Sequence, residues 1–249
     1  MSGRLIALDA WRGILATVVV VYHFMEYFFV TKFDGAIIWS GAYVAVDAFF
    51  VISGFIISRV YFGKLENMYE LKVFMIRRFF RLWPLNLFML IFFLGYRVWA
   101  GGLSGDAIFY GENYSVAGFM ASIFLLQSFG FFDLIVWNVP AWSISAEFYV
   151  YALFGISTII FCRAFGLVLA LFGAMSLSFL VMISKSADLQ VDADYGVWRC
   201  IYGFSSGALI MWLLRALDGR YDIYKLRIFL QWLCDPGILF YLCITKKMR

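Results

Sequence analysis

Six runs of predominantly apolar residues, each long enough to cross a bilayer as a helix, constrain this chain more than any other feature. They lie at Ile6–Val30, Ala36–Tyr61, Phe79–Trp99, Ala141–Phe161, Phe165–Ile183 and Trp198–Leu214. A hydrocarbon core of about 30 Å takes roughly 20 such residues. Two further runs are interrupted: Val116–Trp137 by Gln127, Ser128, Gly130 and Asp133, and Arg227–Ile244 by Cys234-Asp235-Pro236-Gly237, a sequence that kinks or ends a helix. Lipid offers no partner to an exposed backbone, so only helices or a closed barrel cross it. These unbroken runs lack the dyad alternation of barrel strands. The expectation is an all-α, polytopic transmembrane helix bundle of about seven to eight spans. Hydrophobic residues make up 64% of the chain and charged residues 14%, against about 45–50% and 25% in soluble domains. Nothing is left for a soluble domain, and residues 1–249 read as one transmembrane domain.

Charge placement sets the expected orientation. The largest basic cluster, Arg59, Lys64, Lys72, Arg77, Arg78 and Arg81, is opposed only by Glu66 and Glu70, which makes that loop cytoplasmic. The N-terminus, with Arg4 and Arg12, is then cytoplasmic too. If 116–137 crosses fully, the basic stretch of Arg215, Arg220, Lys225 and Arg227 lands outside, and Asp188, Asp192 and Asp194 land inside, which inverts the charge rule. If that segment is re-entrant or interfacial, the rule holds, and the charge pattern favours this second reading. The run beginning at Ile14 reads as a retained span rather than a cleaved signal peptide, because it carries His23 and Glu26. The four cysteines sit in or beside apolar runs without metal-like spacing, so neither a disulfide framework nor a metal site is expected. A net charge of +4 spread over such a chain is no nucleic-acid signature.

Ionisable residues inside a bilayer cost several kcal/mol unless paired or facing a cavity, so each is a functional candidate. His23 follows Arg12 by eleven positions, about three helical turns, which puts both side chains on one face roughly 16 Å apart. Arg12 falls at the cytoplasmic surface, His23 near the membrane middle, and Glu26 one turn further on. Asp9, three residues before Arg12, is placed to fix its rotamer. An imidazole there is a general base near neutral pH; the bland alternative is a packing histidine. In RRFFRLWPL, residues 77–85, Arg77, Arg78 and Arg81 gather three guanidiniums at the mouth of the third span. Guanidiniums hold phosphate oxygens bidentately, and a helix N-terminus at this point adds backbone donors; the alternative is a topology anchor. In PAWSISAEF, residues 140–148, Ser143 and Glu147 are spaced i, i+4 beside Trp142. Glu147 is placed to orient a base, pair with Arg12 or accept a substrate hydroxyl; a structural ion pair is the alternative. Asp47 is a cavity-lining candidate, while Ser53 and Gly54 permit close helix packing.

Four segments together resemble the acyltransferase 3 family of bacterial membrane O-acyltransferases: RLIALDAWRGILATVVVVYHF at 4–24, VDAFFVISGFIIS at 46–58, RRFFRLWPL at 77–85 and WSISAEFYVY at 142–151. Arginine, ten residues, then histidine is matched by Arg12 and His23. Arginine, two residues, arginine is matched by Arg78 and Arg81. The resemblance implies transfer of an acyl group, commonly acetyl, from cytoplasmic acyl-CoA to a carbohydrate hydroxyl of a surface polysaccharide or lipid-linked glycan. It places the protein in a bacterial inner membrane. His23, Arg12 and Glu147 would be catalytic, Arg77, Arg78 and Arg81 would bind the acetyl-CoA or other acyl-CoA donor, and Asp47, Trp142 and Ser143 would lie near the acceptor. His23 would either deprotonate the acceptor or be acylated first. Members of the family have more spans, so the resemblance also implies an atypical, truncated tail over 221–249. Two competing readings remain: a truncated, non-catalytic relative, and a transporter or channel subunit, which requires helices broken near mid-membrane.

Overall fold

The computed structural model describes residues 6–29, 44–101, 109, 114–132, 137–183 and 195–217, among which there are seven α-helices and no strand. The helices are α1 (Ile6–Phe29), α2 (Val44–Tyr61), α3 (Met68–Gly101), α4 (Val116–Ile123), α5 (Ala141–Ile160), α6 (Phe165–Ile183) and α7 (Gly196–Leu217). Six of these are long and apolar enough to cross a membrane. The exception is α4, which at 8 residues is only about 12 Å long. The expected seven to eight spans therefore become six among the described residues, because 116–137 does not form a crossing helix. The interrupted run Arg227–Ile244 and the acidic stretch 188–194 lie outside the described residues.

The chain divides into two compact units, residues 61–206 and residues 1–60 with 207–249. In the first, α3 and α5 are antiparallel: Leu71 meets Gly155, Phe74 meets Tyr151, and Phe79 meets Phe148. Helix α4 is also antiparallel to α3. Trp83 Nε1 donates to the Ile123 carbonyl and Asn86 Nδ2 to that of Ser122, both at 2.9 Å, and Phe119 packs on the buried pair Leu90 and Trp137. Two successive helices that both oppose α3 run parallel to each other, so the chain between them must double back along α4. Trp137 Nε1 closes that return by donating to the Ser115 carbonyl at 3.0 Å, beside the point where α4 begins. Among its described residues the segment turns back and supplies no crossing helix.

A helix that ends inside an apolar interior must have its last carbonyls satisfied. Here side chains do it: Asn86 and Trp83 of α3 serve Ser122 and Ile123. Tyr149 and Ser145 of α5 donate to Phe124 and Leu125. Leu125 (φ 58°) and Trp137 (φ 57°) turn the backbone through the left-handed region at the two bends. This costs about 1–2 kcal/mol at a non-glycine residue. Further on, Phe165 packs on Phe154, and α7 returns antiparallel to α6, with Phe179 against Tyr195 and Trp198.

In the second unit α2 lies parallel to the last turns of α7. Gly207 meets the backbone of Val51 and Phe55, and Arg215 Nη2 donates to the Arg59 carbonyl at 2.7 Å, capping the end of α2. On α1 the half-buried positions include Leu8, Trp11, Arg12, Leu15, Val19, Tyr22 and His23, which recur at spacings of three and four, with Ala7, Asp9, Val21 and Met25 half-buried beside them and Ala16, Thr17, Val18 and Val20 exposed. That is the stripe of a helix packed on one side.

Candidate active site

Helix α3 begins well before the apolar run that revealed it. Asn67 caps it, its Oδ1 accepting from the amides of Tyr69 (3.0 Å) and Glu70 (3.1 Å), while Glu70 Oε2 accepts from Glu66 N at 2.7 Å. This is a variant of the reciprocal capping box. Arg77, Arg78 and Arg81 thus lie in the helix interior, where each backbone amide is taken by the preceding turn. The expected contribution of helix N-terminal donors to this cluster is corrected accordingly. What the cluster offers is side chains alone.

Those side chains divide. Arg77 and Arg81 are exposed and Arg78 is half-buried. The Arg78 guanidinium lies over three rings, 5.3 Å from the centroid of Tyr61, 5.4 Å from Phe74 and 5.6 Å from Tyr151. Its Nη2 donates to Tyr61 Oη at 3.3 Å, and its buried Nε has no hydrogen-bond partner. Each ring attracts the cation by about 0.5–2 kcal/mol, more as water is excluded. An open groove of about 210 Å³ adjoins this group, with Tyr61, Lys64, Tyr69, Glu70, Phe74 and Arg77 among its lining residues. It is smaller than the roughly 300–1,000 Å³ of whole-ligand sites.

Glu147 and Tyr151 face this arrangement from α5, and the Tyr151 hydroxyl donates to Glu147 Oε1. The structure therefore brings Arg78 and Glu147 to the same neighbourhood through one tyrosine. Trp142 and Ser143 occupy the first turn of α5. Ser143 Oγ donates to the Pro140 carbonyl at 2.9 Å, and buried Trp142 lies under the guanidinium of Arg199, 5.6 Å away. Arg199 is itself only 3% exposed, a buried charge inside an apolar helix that sequence reasoning missed. Tyr151 was missed too, although its i+4 spacing from Glu147 was open to inspection. Tyr61 comes from another helix and left no local signal.

Arg12, His23 and Asp47 belong to the other unit. Arg12 and His23 share the packed side of α1, and the His23 ring meets Tyr22 edge-on with centroids 5.3 Å apart. Asp47 is half-buried in the first turn of α2, where the helix dipole favours a carboxylate. The side chain of Glu26 is outside the described ones.

These features define a polytopic helical membrane protein with a cationic group set into one span and a paired carboxylate on its neighbour. The chain belongs to the acyltransferase 3 family, whose acyltransferase domain matches residues 5–246. It is 28% identical over 170 residues to the peptidoglycan O-acetyltransferase OatA of Listeria monocytogenes, an alignment covering 63% of this chain and 24% of that protein. The chain thus spans about a quarter of the curated relative it matches. No solved structure matches it.

Proposed function

We propose that this protein is a membrane O-acyltransferase that moves an acyl group, in the simplest case acetyl, from cytoplasmic acyl-CoA to a carbohydrate hydroxyl of a surface polysaccharide or lipid-linked glycan. Family membership supports the reaction class, and the similarity to a peptidoglycan O-acetyltransferase supports a glycan acceptor. The observation that carries the donor assignment is the arginine group of α3. Arg78 is fixed among three rings with Nε unpartnered, and Arg77 and Arg81 are exposed beside it. Such a set is fit to hold the phosphates of a nucleotide-bearing thioester.

His23 takes the proton of the acceptor hydroxyl, the oxygen attacks the thioester carbonyl, and the C–S bond breaks to release the coenzyme thiolate, which recovers the proton from the imidazolium. Arg12 offsets negative charge during this step, and Glu147 orients the polar groups around the reacting atoms. Asp47, Trp142 and Ser143 serve the acceptor. The re-entrant 116–137 segment contributes no net crossing, so α3 and α5 run in opposite senses. The positive-inside rule then puts Arg4, Arg12, the basic cluster around Arg77 and the basic stretch after Arg215 in the cytoplasm, as expected for a bacterial inner membrane.

The test is binding of acetyl-CoA to the purified chain in detergent, wild type against an Arg78→Ala/Arg81→Ala double variant. Saturable binding that the variant loses supports the reading. A folded wild type that binds no acetyl-CoA refutes it.

A further inference from the structure

We propose that Tyr151 is a positioning residue that ties the guanidinium of Arg78 to the carboxylate of Glu147, so that donor binding and turnover pass through one side chain. The inference rests on the donor-site reading above and names a residue outside its arginine motif. Tyr151 is 4% exposed and makes two different contacts. Its ring lies 5.6 Å from the Arg78 guanidinium, and its hydroxyl donates to Glu147 Oε1. Phe74 joins it to the other wall, 6.0 Å from the Tyr151 centroid and 4.6 Å from that of Tyr61.

The chemistry of this holder matters. A guanidinium fixed by a carboxylate spends its N–H groups and its charge on that partner. One fixed by ring faces keeps both, because a ring attracts the cation through its quadrupole and takes no strong hydrogen bond. Arg78 accordingly spends one N–H on Tyr61, and Nε is sealed from solvent, so the donors left for an anion are on the outer Nη groups. The acidic partner is set one residue further out, on the hydroxyl of Tyr151. The arginine is therefore held in place yet keeps donors for an anion. Any shift of the Tyr151 ring is felt at both Arg78 and Glu147.

The two functions of Tyr151 separate by mutation. Tyr151→Phe keeps the ring and removes the hydroxyl; Tyr151→Leu removes both. With the full chain in detergent, acetyl-CoA should bind Tyr151→Phe within twofold of wild type while turnover falls. Tyr151→Leu should weaken acetyl-CoA binding about tenfold, the size of one desolvated cation–ring contact. In an Arg78→Ala background Tyr151→Leu should cause no further loss of binding. The proposal is overturned if Tyr151→Leu weakens binding equally with and without Arg78, or if Tyr151→Phe binds as poorly as Tyr151→Leu. Thermal unfolding of wild type, the Arg78→Ala and Tyr151→Leu single variants and the double variant provides a ligand-free arm. Tm losses that merely add break the Arg78–Tyr151 link, and non-additive losses keep it. A wild type that binds no acetyl-CoA refutes the proposed function, and this unfolding cycle then decides the positioning claim alone.

Discussion

Gly207→Ala tests the tightest helix approach among the described glycines. A β-carbon there would fall on the carbonyl oxygen of Val51, with the Val51 carbonyl carbon at 2.8 Å and the Phe55 nitrogen at 2.9 Å. Favourable carbon contacts begin at about 3.5 Å. The obstacle is the backbone of α2, so no rotamer change relieves it, and the two helices must move apart. Overpacking of this kind costs roughly 1–3 kcal/mol, occasionally more, and a backbone clash belongs at the upper end. Alanine returns about 1 kcal/mol through its better helix propensity. The net expectation is a loss of about 2 kcal/mol, or about 4–8 °C in Tm for a chain of this size. The Arg215 bond to the Arg59 carbonyl, two turns along the same helix pair, should weaken with it. Gly95→Ala is the control: it lies within α3, where an added β-carbon would meet nothing within 4 Å, and it should leave Tm unchanged or raise it. Thermal unfolding of both variants in one detergent decides the matter. A Gly207→Ala protein that melts with the wild type refutes the backbone contact.

His23→Ala should lower turnover at least about 100-fold, the low end for a general base, and leave acetyl-CoA binding within twofold; full activity removes its catalytic role. Arg81→Ala should raise the donor KM about tenfold with a smaller change in turnover of bound donor, and equal losses in both argue against simple phosphate binding. Asn86→Leu removes the bond to the Ser122 carbonyl together with a buried Oδ1 that has no partner, so it should cost only about 1 kcal/mol. Asn86→Asp sets a carboxylate against that carbonyl and should cost roughly 3 kcal/mol or more. Equal unfolding of the two would show that packing, rather than the hydrogen bond, holds α4.

Hydropathy located the long helices because lipid-facing residues need no partner and write their own pattern. The observed α5, α6 and α7 match the runs at 141, 165 and 198 to within two residues at their starts. It failed at α3, whose first turns are charged and carry Met68, Glu70, Lys72 and Arg77. The signal that marks this start is a cap, Asn67 with Glu70 three residues on, and not an apolar run. Hydropathy alone also left 116–137 undecided, since an apolar sequence satisfied by side chains of α3 and α5 is as hydrophobic as a span. The polar interruptions at Gln127, Ser128, Gly130 and Asp133 marked the run as unlike the others without deciding its path. The arginine cluster was legible as a cluster, but its division was not. Arg78 turns toward Phe74, one turn back on its own helix and so within reach of spacing arguments, and toward Tyr61 and Tyr151 on two other helices, about which spacing along α3 carries no information.

Helix α4 bears on what the protein does because a helix broken inside the membrane is also the hallmark of a solute path. In such a path the broken end presents unpaired backbone carbonyls to an ion. Here the four carbonyls from Ser122 to Leu125 accept from Asn86, Trp83, Tyr149 and Ser145, and the Met120 and Ala121 carbonyls accept from the amides of Phe124 and Leu126. An ion reaching this end would have to displace side chains that are already bonded. The described end of α4 is therefore closed chemically, held between α3 and α5. These are the same two helices that carry Arg78 and Glu147, so anchoring α4 also fixes their spacing. That spacing lets one tyrosine touch both the arginine and the carboxylate.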